Sequence, residues 1–301
     1  MKRALFVVNL HSGRGEIRKN LGGILGILEK YGYEVVVHAT RCKGDAVNVV
    51  KRKAKSFDLV VCSGGDGTLN ETVKGVRRSG IRVPIGYIPA GSTNDFASSL
   101  NIPKGPLNAA RVAAKGHPFS CDVGELNHKT FLYSAAFGIL SDIPYRTKQG
   151  MKNALGHGAY VLEFTKEALS APFGFYPSIP LHITINGEEL EDTYCYGMIT
   201  NTSSVGGVKG VTGDLVALDD GLLEVTLIKR PPLAIWFPWI FAKLLKLVKN
   251  SRHVYTCKAS ELRIRAEKPL AWTLDGEYGG EWEEMEIKCI RGAVDFMVRK
   301  P

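Results

Sequence analysis

The segment Ser63–Glu71 (SGGDGTLNE) carries the clearest chemical signature in the sequence. It follows the apolar run DLVVC, and its glycines Gly64, Gly65 and Gly67 keep side chains out of the loop. Backbone N–H groups and the amino terminus of a following helix can then approach a phosphate chain. Asp66 would repel phosphates unless it acts through Mg²⁺, a water or a nearby donor, which favours a metal–nucleotide site. The alternative is a plain glycine-rich turn with Asp66 as a helix cap.

Two further loops of small and polar residues follow apolar runs in the same way. Asn9–Gly15 (NLHSGRG) ends the first apolar run, and Pro89–Ala97 (PAGSTNDFA) ends the run that follows the first loop. Neither the G-x-x-x-x-G-K-[ST] loop nor the G-x-G-x-x-G fingerprint is present. Each loop alone could be a capped turn, but all three would line one edge of one sheet. Their convergence predicts a phosphate-binding crevice.

Two acidic clusters lie in the second half of the chain. Asp275 and Glu277 flank Gly276 after the run LAWTL, and either carboxylate could orient a hydroxyl acceptor or take its proton. In extended chain this spacing would aim both side chains to the same side, although Gly276 allows a hairpin turn instead. Asp219 and Asp220 precede the run LLEVTLI and form either a simple turn or a hard-cation site. From the residues alone both alternatives remain open.

The pattern of apolar runs indicates which elements position these residues. Strand-like and helix-like runs alternate over residues 1–122, which predicts an α/β nucleotide-binding domain with a mostly parallel sheet. Short alternating runs separated by Gly, Pro and Asn over residues 123–290 predict a β-rich, β-sandwich-like second domain. Residues 291–301 are predicted to pack back on the first domain. Helices are expected at 152–170 and 233–250.

Composition narrows the class of protein further. The chain has 301 residues and a formal net charge of +9, which favours an anionic partner such as a nucleotide, acidic lipid headgroups or nucleic acid. No nucleic-acid-binding motif is present, so no nucleic-acid partner is expected. The six cysteines are widely spaced and form no C-x-x-C pair, which indicates buried thiols in a reducing cytoplasm. Leu233–Val248 is interrupted by Pro238 and two lysines, so no transmembrane segment is predicted.

In order and spacing, these segments resemble the bacterial diacylglycerol kinases and their lipid-kinase relatives, which share a catalytic domain with eukaryotic diacylglycerol and sphingosine kinases. The matching pieces are Asn9–Gly13, Gly64–Glu71, Gly91–Ala97, the Lys152–Gly156–Tyr160 segment, Leu218–Val225 and Asp275–Glu277. GGDGT alone also occurs in NAD kinases and phosphofructokinases, whereas the DGE ending distinguishes the lipid kinases. The family's first loop usually has the pattern Asn-Pro-x-Ser-Gly. Leu10 replaces the proline, so we expect a less rigid loop.

The resemblance implies an NAD kinase-like first domain and transfer of a γ-phosphoryl group from ATP, with Mg²⁺, to a lipid hydroxyl. Glu277 would accept the proton with support from Asp275, and Asp66 would join Asp95 in a magnesium and water network. Asp220 and the carbonyls of Ala217 and Leu222 would form a structural Mg²⁺ site. The implied nucleotide contacts are Asn9, Ser12, Gly13, Thr40, Gly64, Gly65, Asp66, Gly67, Thr68, Asn70, Thr93, Asn94 and Asp95.

A lipid acceptor has to be reached while its tails stay in a bilayer. The basic and aromatic stretch 233–248 suits an anionic interface, although a helix packed on the protein with its lysines outward is the alternative. We therefore expect a cytoplasmic protein, peripheral at the inner face of the membrane, and by family analogy a homodimer. The rival functions are a kinase for a soluble acceptor such as NAD and an inactive nucleotide- or lipid-binding protein. The sequence does not identify which lipid is the acceptor.

Overall fold

A computed structural model describes residues 1–12, 15–91, 94–138, 177–202, 204–205, 208–209, 217–229 and 253–299. The chain divides into two compact units. The first comprises Met1–Cys121 with Gly292–Pro301, and the second comprises Asp122–Arg291. The predicted helices at 152–170 and 233–250 lie outside the described residues, as do Gly13 and Thr93. No helix in the described ranges is long and apolar enough to cross a membrane.

The first unit alternates strands and helices. Its elements are β1 (Lys2–Val8), α1 (Glu16–Lys30), β2 (Tyr33–Ala39), α2 (Asp45–Lys53), a 3₁₀ turn (Ala54–Ser56), β3 (Leu59–Gly64), α3 (Asp66–Ser79), β4 (Ile85–Pro89), α4 (Asp95–Ser99) and α5 (Pro106–Lys115). Strand β1 pairs in parallel with β2 and β3, and β3 pairs in parallel with β4. Strands β3 and β4 are buried along their whole length, as expected for parallel strands covered on both faces.

Helices α2 and α3 pack closely because one residue of α3 has no side chain. A Cβ added to Gly75 would lie 2.7 Å from the Cβ of Val50 and 3.0 Å from the carbonyl oxygen of Val47. Both α2 and α3 place their buried apolar residues at helical spacing, Val49 and Val50 on α2 and Leu69, Val73 and Val76 on α3. This packing fixes where the amino terminus of α3, which carries Asp66, lies in the first unit.

The second unit is rich in strands. They are β5 (His117–Leu126, which begins in the first unit), β6 (Lys129–Phe131), β7 (Ser134–Gly138), β8 (Ile179–Ile185), β9 (Glu188–Thr200), β10 (Ser204–Val205), β11 (Val208–Lys209), β12 (Leu223–Lys229), β13 (Val254–Ala259), β14 (Glu261–Leu274) and β15 (Glu277–Val298). The order β13-β12-β9-β7-β14-β15 is hydrogen-bonded, and β8 pairs with both β9 and β14. The last residues of β15 belong to the first unit, where Phe296 pairs in parallel with Ile85 of β4.

Strands β7 and β8 lie end to end between β9 and β14. Gly138, the last residue of β7, is opposite Tyr196 of β9, whereas Ile179, the first residue of β8, is opposite Tyr194. On the other side, β14 pairs with β8 through residues 262–266 and with β7 through residues 272–274. The chain between the two strands, residues 139–178, therefore leaves and re-enters the sheet at one point.

The structure confirms an α/β first unit and a strand-rich second region. The described pairings are parallel among β1–β4, within the range for which a parallel sheet was predicted, and antiparallel in the second unit, so the sheet taken as a whole is not mostly parallel. The predicted β-sandwich stays a prediction. All six cysteines are free; Cys62, Cys121 and Cys195 are buried as expected, whereas Cys42 is exposed, contrary to the expectation of buried thiols. Burial raises the pKa of the Cys62 thiol to about 12, as expected for an inert core thiol.

Candidate active site

The carboxyl ends of β1, β3 and β4 bring the predicted phosphate loops together. Since these strands are parallel, their carboxyl ends share one edge of the sheet. The N–H of Asn9 donates to the carbonyl of Ser63 at 2.8 Å, and the N–H of Ala90 donates to the carbonyl of Gly64 at 2.9 Å. Each loop thus leaves the sheet beside the next one.

Glycines let two of these loops touch. A Cβ on Gly91 would lie 2.6 Å from the Cα of Gly65, and a Cβ on Gly65 would lie 3.3 Å from the Cα of Gly91 and 3.7 Å from the Oγ of Ser12. An alanine at position 91 would therefore collide with backbone, which cannot turn aside as a flexible side chain can. The glycines serve close approach between loops as well as access for a phosphate.

Side chains hold the loops in place. The Nδ2 of Asn9 donates to the Oγ1 of Thr68 at 3.4 Å. The Oδ1 of Asn94 accepts the N–H of Gly91 at 2.9 Å, and its Nδ2 donates to the carbonyl of Gly91 at 2.8 Å. The N–H of Asp95 donates to the Oδ2 of Asp66 at 3.3 Å. The first unit therefore brings the described residues of all three loops together at one edge of its sheet, the place of the predicted crevice.

The predicted contact Thr40 lies beside this crevice at the end of β2. Its N–H donates to the carbonyl of Val8 at 2.9 Å. The loop after it is held by Glu71, whose Oε1 accepts the N–H of Gly44 at 2.7 Å. It is also held by Asp45, and hydrogen bonds from Arg41 keep the pKa of that carboxyl well below its usual range. Sequence reasoning quoted Glu71 only as part of its motif and missed its link to the neighbouring loop.

Arg18 is another residue that the sequence analysis missed. Its Nε donates to the carbonyl of Leu10 at 2.9 Å, and its Nη2 lies 3.4 Å from the Nδ1 of His11. The N–H of His11 in turn donates to the Oδ1 of Asn9 at 3.0 Å. A positive charge in the first turn of a helix interacts unfavourably with the helix dipole. An arginine at this position therefore indicates a compensating contact, which could have been suspected from the sequence. Arg18 braces the loop in which Leu10 replaces the family proline.

The crevice combines groups that suit an anion with groups that suit a cation. The amino terminus of α3 and the glycine loop present backbone N–H groups, whereas Asp66 and Asp95 bring carboxylates. The buried Tyr87 hydroxyl lies 3.2 Å from the carbonyl of Gly64, and burial, followed by the charge of Asp66, raises its pKa well above the usual value. Two carboxylates beside a phosphate loop form a donor set that Mg²⁺ accepts.

The DGE segment forms a hairpin turn in the second unit. Leu274 of β14 pairs with Glu277 of β15, and the two residues between them, Asp275 and Gly276, have φ values of 52° and 77°. Positive φ at both positions is typical of a type I′ turn, for which Asp-Gly is a favoured sequence. The hairpin alternative is thus confirmed. The extended backbone that the same-side alternative required is not present, because the chain reverses between the two carboxylates.

The two carboxylates of this turn have different environments. Asp275 is 7% exposed, and its Oδ2 accepts the N–H of Leu132 at 2.8 Å. Its Oδ1 accepts the N–H groups of Tyr133 at 2.9 Å and Ser134 at 3.0 Å. Glu277 is exposed. Asp275 therefore anchors the turn to the segment before β7, while the Glu277 side chain is accessible for chemistry.

The acidic turn before β12 is also tied into the second unit. The Oδ1 of Asp220 accepts the N–H of Leu222 at 3.0 Å, and its Oδ2 accepts the ammonium of Lys258 at 2.8 Å. The fully buried Asp122 accepts the N–H of Gly221 at 2.6 Å. Glu224, 7% exposed, lies 3.3 Å from the Nζ of Lys258. Asp122 and Lys258 had no local sequence signal, because they reach this turn from distant parts of the chain, whereas Glu224 lies in the same segment as Asp220.

Two carboxylates of this turn, Asp220 and Glu224, share the Lys258 ammonium. Burial raises the pKa of Glu224 to about 7, with Lys258 acting in the opposite direction. In the part of the chain that is described, no group of three His, Cys, Asp or Glu residues converges to hold a metal. A cation here would therefore depend on Asp220 and main-chain carbonyls, as in the predicted set of Ala217, Asp220 and Leu222.

Comparisons with known proteins point in one direction. A sequence model of the diacylglycerol kinase catalytic domain matches residues 3–126. A diacylglycerol kinase of Bacillus subtilis (strain 168) is 34% identical over 93% of this chain and 91% of its own length, and that of Staphylococcus carnosus (strain TM300) is 30% identical over 93% and 90%. A solved diacylglycerol kinase structure from Bacillus anthracis (strain Sterne) has the same fold, with a TM-score of 0.78 at 23% identity, covering 99% of this chain and 97% of that one.

Proposed function

Since the chain belongs to the diacylglycerol kinase family, we propose that it transfers the γ-phosphoryl group of ATP to the hydroxyl of diacylglycerol or a closely related lipid. Membership makes it a lipid kinase, a phosphotransferase with an alcohol group as acceptor. The observation that supports the finer proposal best is the convergence of three small-residue loops around Asp66 and Asp95. Phosphoryl transfer depends mainly on positioning and charge neutralisation, and this crevice is suited to both.

The nucleotide would lie along the carboxyl edge of the first unit's sheet. Backbone N–H groups of the Gly64–Thr68 loop would bind the phosphates, and the side chains of Asn9, Ser12 and Thr40 would complete their surroundings. Mg²⁺ held with the nucleotide would neutralise charge on the phosphates, with Asp66 and Asp95 as its protein partners. Gly13, Asn70, Thr93 and Asn94 complete the proposed nucleotide contacts.

On the acceptor side, Glu277 would take the proton of the lipid hydroxyl. Its exposed carboxylate can reach a bound molecule, and general bases of this kind contribute about 10²- to 10⁴-fold to rate. Asp275 would act through the turn, because its three hydrogen bonds to backbone N–H groups fix the hairpin on which Glu277 lies. Asp220, with the carbonyls of Ala217 and Leu222, would hold a structural Mg²⁺.

We also propose that the protein reaches its acceptor as a peripheral membrane protein and that it forms a homodimer. The basic and aromatic stretch 233–248, outside the described residues, is the proposed contact with anionic lipid. Sedimentation with anionic liposomes tests the first proposal, and Trp236→Ala with Trp239→Ala should reduce it. Light scattering of the purified protein tests the second.

The decisive experiment measures phosphate transfer directly. Labelled ATP is offered with diacylglycerol, undecaprenol, phosphatidylglycerol or a sphingoid base in mixed micelles, and with NAD in solution, and the labelled product is identified by mass. We expect a phosphorylated lipid and no phosphorylated NAD. Labelled NAD without labelled lipid would overturn the proposal.

Site variants test the assignment of roles. Glu277→Gln and Asp66→Asn should each reduce turnover at least about 100-fold without unfolding the protein. Glu281→Gln, an equally exposed carboxylate on the same strand, is the matched control and should keep wild-type activity. Wild-type turnover in Glu277→Gln would remove that residue from its proposed role.

A further inference from the structure

The hairpin that carries Glu277 contains a β-bulge. The pairs on its two sides are Trp272 with Gly280 and Thr273 with Tyr278. Gly279 is therefore an extra residue that has no opposite residue on β14. In an unbroken ladder, Leu274 would lie opposite Tyr278, and Glu277 would belong to the turn. The bulge instead places Glu277 opposite Leu274, as the first residue of β15.

Lys129, the first residue of β6, holds this bulge. Its Nζ donates to the carbonyl of Gly279 at 2.6 Å and lies 5.1 Å from the centre of the Trp282 ring. The face of the ring attracts the ammonium and limits the positions it can take. Gly280 has a φ of 125°, a backbone conformation that favours glycine. A charge-assisted hydrogen bond thus fixes the residue at which the ladder is interrupted.

The segment 127–134 contacts the hairpin strands on both sides of Lys129. At its start, the Nδ2 of Asn127 donates to the carbonyl of Glu284 at 2.8 Å. At its end, three backbone N–H groups bind the carboxylate of Asp275. The backbone that carries Lys129 is therefore fixed at both ends, and its ammonium has a defined place beside the bulge.

We propose that Lys129 is a positioning residue for phosphoryl transfer: by holding the Gly279 bulge, it keeps the Glu277 carboxylate where it can take the proton of the acceptor hydroxyl. This inference rests on the role of Glu277 in the proposed function. In this role Lys129 acts on the hairpin and contacts neither nucleotide nor acceptor. A displacement of about 1 Å in a reacting group can cost about 100-fold in rate, so a shift of the bulge should lower kcat.

Kinetics of Lys129 variants of the full-length protein test this role, with ATP and with diacylglycerol in mixed micelles. Lys129→Met keeps the side-chain stem and removes the ammonium. We expect it to lower kcat about tenfold and to leave both KM values within about twofold of wild type. Lys129→Arg should restore most of the activity, because a guanidinium can donate to the same carbonyl and stack on the same ring. Lys268→Met, which changes an exposed lysine of β14, is the matched control.

A double-mutant cycle shows whether Lys129 acts through Glu277. In the Glu277→Gln background, Lys129→Met should change the residual kcat by less than about twofold, because no base remains to be misplaced. An equal loss in both backgrounds would mean that Lys129 acts on the nucleotide or on the fold as a whole. That result would refute the proposal.

The pH dependence of kcat separates positioning from an effect of charge. If Lys129 positions Glu277, Lys129→Met lowers kcat by the same factor at every pH. If the ammonium instead acted on the Glu277 carboxylate through its charge, its removal would raise the pKa of that carboxylate and move the acidic limb of the profile to higher pH. A displaced limb would therefore contradict the positioning role.

Hydrogen exchange measured by mass spectrometry gives a readout that needs no activity. Lys129→Met should speed the exchange of residues 275–282 about tenfold, through the loss of one charge-assisted hydrogen bond, and Lys129→Arg should not. Unchanged exchange in Lys129→Met would count against the proposal. Circular dichroism checks folding, and Lys129→Leu takes the place of Lys129→Met if the latter does not fold.

The single variants distinguish failure of this inference from failure of the proposed function. Wild-type kcat in Lys129→Met, beside an impaired Glu277→Gln, would overturn the inference about Lys129 alone. Wild-type kcat in Glu277→Gln would remove the base from the proposed function and this inference with it.

Discussion

Replacement of Asp275 by asparagine should lower the stability of the fold more than it impairs phosphoryl transfer. The carboxylate accepts three backbone N–H groups, two at Oδ1 and one at Oδ2, at 2.8–3.0 Å and with 7% of the residue exposed. Asparagine has one acceptor oxygen, so in any rotamer at least one of the three N–H groups faces the amide NH₂. The change is therefore isosteric but leaves a buried donor unpaired.

The expected size of this effect follows from those contacts. A buried N–H without a partner costs about 1–3 kcal/mol, and the two surviving bonds lose the assistance of a full charge, worth about 1 kcal/mol more. We therefore expect Asp275→Asn to lower the free energy of unfolding by about 3 kcal/mol. At about 2–4 °C per kcal/mol for a domain of this size class, the melting temperature should fall by roughly 6–12 °C.

Urea and thermal denaturation followed by circular dichroism measure this difference, and Glu277→Gln is the control. That substitution alters an exposed side chain two residues away and should change stability by less than about 0.5 kcal/mol while it removes activity. If Asp275→Asn proved as stable as wild type but inactive, Asp275 would have a direct chemical role. The anchoring argument would then be refuted.

Three further perturbations test the first unit. Arg18→Ala should raise the KM for ATP several-fold with kcat nearly unchanged, because it removes about one hydrogen bond that holds the loop. Leu10→Pro in the Arg18→Ala background should restore part of this loss, because proline stiffens the same loop. Gly91→Ala should weaken ATP binding at least about tenfold in calorimetry, since its Cβ would lie 2.6 Å from facing backbone; unchanged affinity would contradict the loop packing. Bonds from Arg82 hold the pKa of Asp295 below its usual value, so this carboxylate stabilises the fold above about pH 4 and the contribution disappears as the pH falls through the lowered pKa. The stability gap between wild type and Asp295→Asn, about 1 kcal/mol at pH 7, should therefore close in an acid denaturation series as the pH falls below about 4.

The convergence of the three small-residue loops was predictable because it follows from local sequence patterns. Each loop follows a buried strand, and parallel strands bring their carboxyl ends to a common edge, so Asn9, Asp66 and Asp95 had to lie near one another once the alternation of strands and helices was recognised. The pattern did not predict the side-chain contacts that hold these loops in place. The contacts of Arg18 and Glu71 depend on side-chain direction rather than on spacing.

The acidic turn shows where sequence reasoning stops. Asp220 was found from its own segment, but Asp122 and Lys258 reach the turn from positions far away in the chain. Their arrival depends on the register between strands, and a shift of one residue would have turned Lys258 to the opposite face. For the DGE segment, the alternative in which both carboxylates point to the same side required an extended backbone. Asp275 and Gly276 have positive φ values instead, so the chain turns there.

The end-to-end arrangement of β7 and β8 has a consequence for how this chain can change in evolution. Gly138 and Ile179 are opposite residues two apart on β9, so their Cα atoms are separated by about 7 Å, a gap that one linking residue could span. The point between Gly138 and Ile179 is thus one at which segments of different length and sequence can be exchanged, while the pairings of β7 and β8 with β9 and β14 and the hairpin that carries Glu277 stay as they are.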